Sequence, residues 1–351
     1  MARAQARSSV DPGQLQSEND AIVRVTTFHR VDGFAQVWGY DLDSQMPRHV
    51  NHLYRPSWPR PTPLSPKGTP MTGLGVLEIL PVEILHEVVS QFTIRQAMRF
   101  RSVNHRARQV VDNMLEYRAV TRHARACFEA ILETRMSDTL RFADVFRAMC
   151  MQQCEKCNRA GQYIHLPTLT RCCLPCLELD PSLRTVRLSH FTEIDQRTLR
   201  KQVRVVLAHP RPYMYVYINA PDEAKLSRRV NMTDYETAKE VVERVKGTAI
   251  TGNEPQSQRS FTVSCPLPLY NKSAQTSYWA LSCKGCARVR PRQDPTRVNE
   301  EFTREGFLEH FQKCEEAQRL WAASEGSTRD IGHLDNYLIR NRGLKPNGIR
   351  I

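Results

Sequence analysis

From Val76 to about Met149, apolar residues return at the spacing of helices that bury one face. Pro81 stands where a helix start tolerates a missing N–H. After it, Val82-Glu83-Ile84-Leu85-His86-Glu87-Val88-Val89 carries apolar side chains on more than one side. A short helix of this kind cannot bury all its apolar surface inside a small helical unit, so the pattern predicts a docking element. A second short helix is predicted over residues 94–100. A third, over 104–117, carries Ala107, Val110, Val111, Met114 and Leu115, and a fourth, over 118–134, has Val120, Ala124, Cys127, Phe128, Ile131 and Leu132 as its stripe. Ser137-Asp138 reads as the start of a further helix containing Leu140, Val145, Phe146 and Met149.

After Cys154 the texture changes to short β-rich runs at 184–188, 203–208, 213–218, 261–270 and 277–282. Between them, Thr233-Asp234-Tyr235-Glu236 reads as a capping box for a helix that buries Ala238, Val241 and Val245 and closes at Gly247. Residues 300–323 read as one amphipathic helix. Residues 1–75 are predicted to be Pro-rich and largely disordered, with Pro47, Pro56, Pro59, Pro61, Pro63, Pro66 and Pro70 against regular structure and one short apolar stretch at 31–40. A flexible tail is expected over 325–351. No internal repeat is visible.

The chain has 351 residues, 40% of them hydrophobic, enough for one large or two modest cores. Its formal net charge of +13 favours acidic partners, but the basic residues are dispersed and read mainly as solvated helix faces. A zinc-dependent nucleic-acid-binding protein is the competing class, and a non-catalytic scaffold a third. No secretory signal and no membrane-spanning run is expected. The acid-free opening Met1 to Ser9 faintly resembles a transit peptide, yet Asp11, Glu18 and Asp20 soon follow, so cytoplasm or nucleus is expected.

Eight of the 11 cysteines fall in two clusters, and in a reducing compartment clustered cysteines are more plausible metal ligands than disulfides. Cys154-x2-Cys157 and Cys173-x2-Cys176 form two knuckles suited to one closed, structural tetrahedral zinc, with Cys172 an alternative to Cys173. Cys283-Lys284-Gly285-Cys286 supplies a third knuckle, Gly285 allowing its turn. His310 and Cys314, four apart, complete a second zinc, with Cys265 as fallback ligand. Cys127 and Cys150 read as core residues. No phosphate loop, His-Glu-x-x-His or Gly-x-Ser-x-Gly occurs, so catalysis is not expected; Asp43, Glu83, Asp222 and Glu223 read as surface carboxylates.

Leu80-Pro81-x-Glu83-Ile84-Leu85, with Val88, Phe92, Ile94, Phe100, Val103 and Asn104-His105-Arg106-Ala107-Arg108 in order, resembles the F-box, the adaptor-binding motif of cullin-type ubiquitin ligases. The family often has tryptophan where Ala107 stands. The layout is also similar to a group of fungal F-box proteins, through Cys154-Glu155-Lys156-Cys157, His165-Leu166-Pro167-Thr168, Arg171-Cys172-Cys173-Leu174-Pro175-Cys176, Cys283-Lys284-Gly285-Cys286 and the ending from Gly306 through His310, Cys314 and Trp321. Asn158 stands where that group commonly has glycine. The resemblance implies an α+β protein: a three-helix F-box at 76–118, a helical connector at 119–150 and a zinc-stapled mixed β/α recognition domain at 151–324. It implies a non-catalytic receptor that docks Leu80, Pro81, Ile84, Leu85, Val88 and Phe92 on a Skp-type adaptor of a cullin complex and presents a protein substrate. Tyr213, Tyr215, Tyr217, Arg228 and Arg229 are candidates for the substrate face.

Overall fold

A computed structural model describes residues 12–29, 73–208, 229–250, 260–288 and 300–329. They form two compact units, one joining residues 12–29 to 280–288 and 300–329, the other holding 73–208, 229–250 and 260–279. The partition departs from the expected single domain over 151–324. Within 1–75, expected to be largely disordered, α1 (Pro12–Thr26) and β1 (Thr27–Phe28) are regular structure.

The larger unit opens with a 3-10 turn, Gly75–Ile79, and α2 (Val82–Ser90), entered directly from Pro81. α3 (Ile94–Arg101) starts at a capping box, Thr93 accepting from the Gln96 N–H while the Gln96 side chain accepts from that of Thr93. α4 (His105–Asn113) is capped by Asn104, whose side-chain oxygen accepts from the Ala107 N–H at 2.8 Å. The expected helices over 104–117 and 118–134 are cut differently, into α4, α5 (Leu115–His123) and α6 (Arg125–Glu133). Met114 takes an extended conformation and Ala124 leaves the helical region, and both are buried. The two bends keep the apolar stripe on one core instead of letting a straight rod carry it past. α7 (Phe142–Cys150) begins at Arg141, whose N–H donates to the Asp144 carboxylate; Ser137-Asp138 forms only a 3-10 turn.

Strands β2 (Tyr163–His165) and β3 (Thr170–Cys172) make an antiparallel hairpin, and α8 (Leu174–Leu179) follows at once. Next come β4 (Thr185–Arg187), α9 (Gln196–Gln202), β5 (Val206–Ala208), β6 (Val230–Asp234) and α10 (Tyr235–Lys246). The cap of α10 is Asp234, whose carboxylate accepts from the Thr237 N–H at 2.8 Å, while Thr233 donates its hydroxyl to the Arg204 carbonyl. Gly247 ends the helix at φ 71°, a left-handed turn that glycine adopts without cost. Ala238 and Val241 are buried, but Val245, expected inside, is exposed. β7 (Ser264–Pro266) adds to β2, giving the sheet β3-β2-β7; β6 lies between β4 and β5; β8 (Leu269–Asn271) and β9 (Thr276–Tyr278) form a hairpin. The run at 213–218, with Tyr213, Tyr215 and Tyr217, lies outside the described residues, as do Arg228, Asp43, Asp222 and Glu223. One core unites α2 to α7 with Ile164, Val206, Met232, Leu267 and Tyr270.

The smaller unit contains α1, β1, β10 (Ser282–Cys283), α11 (Lys284–Arg288), α12 (Arg304–Phe311) and α13 (Glu315–Ala323). The single helix expected over 300–323 is broken between Phe311 and Glu315. The chain is thus helical in its F-box-like region and mixed beyond it, an α+β arrangement.

Candidate metal centres and docking face

The ligand atoms of Cys154, Cys157, Cys173 and Cys176 all lie within 4.8 Å of one another. The first pair sits on a tight turn. Asn158 closes it at φ 60° and donates its N–H to the Cys154 carbonyl, asparagine tolerating the left-handed backbone usually given to glycine. The Lys156 N–H donates toward Cys154 Sγ and the Arg159 guanidinium toward Cys157 Sγ, both at 3.4 Å. The second pair comes from the end of β3 and the first turn of α8, where Cys173 is the N-cap residue. Successive side chains of an extended chain point to opposite faces. Cys172 therefore turns inward, its thiol 3.9 Å from the Tyr163 carbonyl, and Cys173 joins the cluster.

Gly161 sits tightly against the knuckle: a Cβ there would lie 3.1 Å from the Cys154 backbone, so the knuckle would have to give by a few tenths of an ångström. Beneath the knuckle Arg171 is fully buried, donating to the carbonyls of Gly161, Ala148, Leu267 and Pro268 at 2.6–2.9 Å. Burial brings its pKa down to about 10, which still leaves it cationic at neutral pH. His165 is also fully buried. Its ring nitrogens meet the hydroxyls of Thr168 and Thr185, and burial pushes it down to about 3, so it is a neutral structural group outside the cluster. Neither buried role was visible from the sequence, where both residues stood out only as parts of a motif.

Cys283, Cys286, His310 and Cys314 form the second cluster, also within 4.8 Å. Cys283 Sγ and Cys286 Sγ lie 3.9 and 3.7 Å from Cys314 Sγ, and Cys286 Sγ lies 3.4 Å from His310 Nε2. A tetrahedral zinc with ordinary bond lengths needs sulfur–sulfur edges of about 3.8 Å and sulfur–nitrogen edges of about 3.5 Å. The spacings fit, as does Cys157 Sγ to Cys173 Sγ at 3.6 Å in the first cluster. The break after Phe311 sets Cys314 at the cap of α13 rather than one turn along a continuous helix. Gly285 serves a purpose other than the expected turn: a Cβ there would stand 2.5 Å from the Ala317 backbone nitrogen, so the glycine lets α11 touch α13. In each cluster one thiol is driven well below its ordinary value by neighbouring thiols, Cys154 by Cys173 and Cys176, Cys314 by Cys283 and Cys286. Cys265, the fallback ligand, is buried in the main core beside Cys127. Four protein ligands leave no open position, so each set suits a structural metal rather than a reactive one.

The third feature is α2. Its inner face is Leu85 and Val89, each 2% exposed. Ile84 and Val88, each 43% exposed, face outward together with Val82, and Val76, Ile79 and Val103 are likewise exposed apolar residues of this region. Of the six expected docking residues, Leu85 is therefore core and unavailable to a partner. Leu80 and Phe92 are half-buried against that core, Phe92 meeting Phe100 edge-on at 5.9 Å, and Pro81 is exposed. Ala107 is fully buried. Behind the helices, Arg101 pairs with Asp112 at 2.6 Å with its guanidinium 5.6 Å from the Tyr117 ring centre, and burial pushes the Tyr117 hydroxyl up to about 12. Of the basic residues offered for a substrate face, Arg229 is engaged with Glu133.

No described helix is long and apolar enough to cross a membrane. A family model described as F-box domain matches residues 77–119, which begin within the 3-10 turn, span α2 to α4 and run into α5. No curated protein and no solved structure matches the chain. The match carries the general association of F-box domains with Skp-type adaptors and SCF-type ubiquitin ligases.

Proposed function

We propose that this chain is the substrate-recognition subunit of a cullin-type ubiquitin ligase, docking through α2 on a Skp-type adaptor and presenting a protein with the rest of its larger unit. The observation that carries the reading is the outward apolar face of Ile84 and Val88 within the stretch matched by the F-box. Fully burying an aliphatic side chain of this size gives about 1.5–3 kcal/mol, and because each is 43% exposed the share still to be gained is about 1 kcal/mol apiece, to which Val76, Ile79 and Val103 of the same region can add. The chain makes and breaks no bond itself. It holds a target lysine near a charged conjugating enzyme and so raises the effective concentration of the reacting groups. The two Cys/His sets are read as structural zinc sites, ligands Cys154, Cys157, Cys173 and Cys176 in one and Cys283, Cys286, His310 and Cys314 in the other.

Capture of a purified Skp-type adaptor tests the docking. Ile84→Asp with Val88→Asp is expected to abolish capture while the unfolding midpoint stays near that of the wild type. Undiminished capture by this folded double variant would overturn the reading. Leu85→Asp is unsuited to the purpose, since a charge in the core unfolds the unit whatever docks on it.

A further inference from the structure

The four ligands of the second cluster all lie between Cys283 and Cys314, so ligand spacing alone implies that a C-terminal piece could hold the metal. The packing says otherwise. Cys283 belongs to a two-residue strand whose partner is β1, with Thr27 opposite Cys283 and Phe28 opposite Ser282. So short a strand has no stability of its own. Lys284 donates from Nζ to the Val25 carbonyl at 2.7 Å, a cation on a carbonyl of the last turn of α1, where the helix dipole favours it. Ile22, from α1, is buried in the same apolar cluster as Cys283, Cys286, Phe307 and Ala317. Asp20 pairs with Arg304 of α12, and Arg24 donates to Ser327 beyond α13 at 2.8 Å. His29 meets the Ala280 carbonyl at 3.1 Å, fixing the chain just before β10. The knuckle Cys283–Cys286 is thereby held on one side by α13, through the Gly285 contact, and on the other by α1 and β1.

Resting on the reading of this cluster as a zinc site, we infer that residues 12–29 are a strap without which the second metal centre does not hold its ion, although they contribute no ligand. Losing the strap opens the centre and leaves the first cluster, in the other unit, untouched.

The test compares the full chain with a variant lacking residues 1–30 and with full-length Ile22→Asp, reading bound zinc per chain and release to a chromogenic chelator. Full chain is expected to bind two ions, one per cluster. Both variants are expected to retain one, the second being weakened by about 10–100-fold or more, the range seen when outer-shell support of metal ligands is lost. A synthetic peptide of residues 10–31 should restore the second ion to the truncated chain. Two ions held by the truncated chain with unchanged release would overturn the strap. A full chain whose zinc content does not change in Cys286→Ser would instead overturn the metal reading of the cluster, and the strap with it; Cys173→Ser serves as the parallel control for the first cluster.

Discussion

The two cysteine clusters resemble each other in ligand number and differ in what supports them. The first is local: a turn at Asn158, a hairpin and the first turn of α8 bring its four sulfurs together between Cys154 and Cys176. Its surroundings belong to the same unit as the F-box helices, through the four carbonyls that Arg171 gathers. The second is assembled from elements that meet only when both ends of the described chain pack together. Spacing announces ligands in either case. It says nothing about what keeps those ligands in place.

The comparison breaks most sharply at a ligand. Cys173→Ser is expected to empty the first cluster and unfold its surroundings, since a structural zinc contributes about 10–16 kcal/mol in zinc-finger peptides. Metal content and a denaturant titration check this, and loss of both ions together would show that the clusters are not independent. Gly285→Ala places a Cβ against the Ala317 backbone and is expected to cost about 1–3 kcal/mol, confined to the smaller unit. Hydrogen exchange localises the loss, and protection falling around Cys154 instead would contradict it.

Acidity separates the units in another way. Zinc bound as proposed at either cluster is expected to be held less tightly as pH falls, because the thiolates take up protons. Glu133 acts oppositely on the larger unit: burial, outweighing Arg229, raises its carboxyl to about 7 from an ordinary 4.5. The folded state then holds the proton more tightly than the unfolded one. This contribution is fully present below about pH 4.5 and is lost as pH rises through about 7, a change of roughly 3 kcal/mol with the Arg229 contact already included. Glu133→Gln should flatten stability between those values, and an unchanged slope would rule Glu133 out as its source. Smallest is Cys172→Ser, expected to keep its zinc and lose about 1 kcal/mol or less, since a hydroxyl can still donate to the Tyr163 carbonyl. Loss of the ion would make Cys172 the ligand in place of Cys173.

Much of this was legible in the residues. The helical period from Val76 and the break in texture after Cys154 follow from burial of one face and of short strands, and the knuckle spacing marks both ligand sets. Three things were hidden. Leu85 and Ile84 are equally apolar, and only the turn of α2 on its neighbours decides which one faces inward. Gly285 reads as a turn residue until the helix it touches, more than thirty positions on in sequence, is placed beside it. Residues 12–29 carry no motif, and their order comes from partners near the opposite end of the sequence. Long-range packing is the common cause.

The guanidinium of Arg171 binds carbonyls from Ala148 to Pro268, so the first cysteine knuckle is not portable. Excised as a peptide and grafted elsewhere, it would carry an ion whose acceptors had been left behind, and Arg171 would have to face solvent before the cysteines could close.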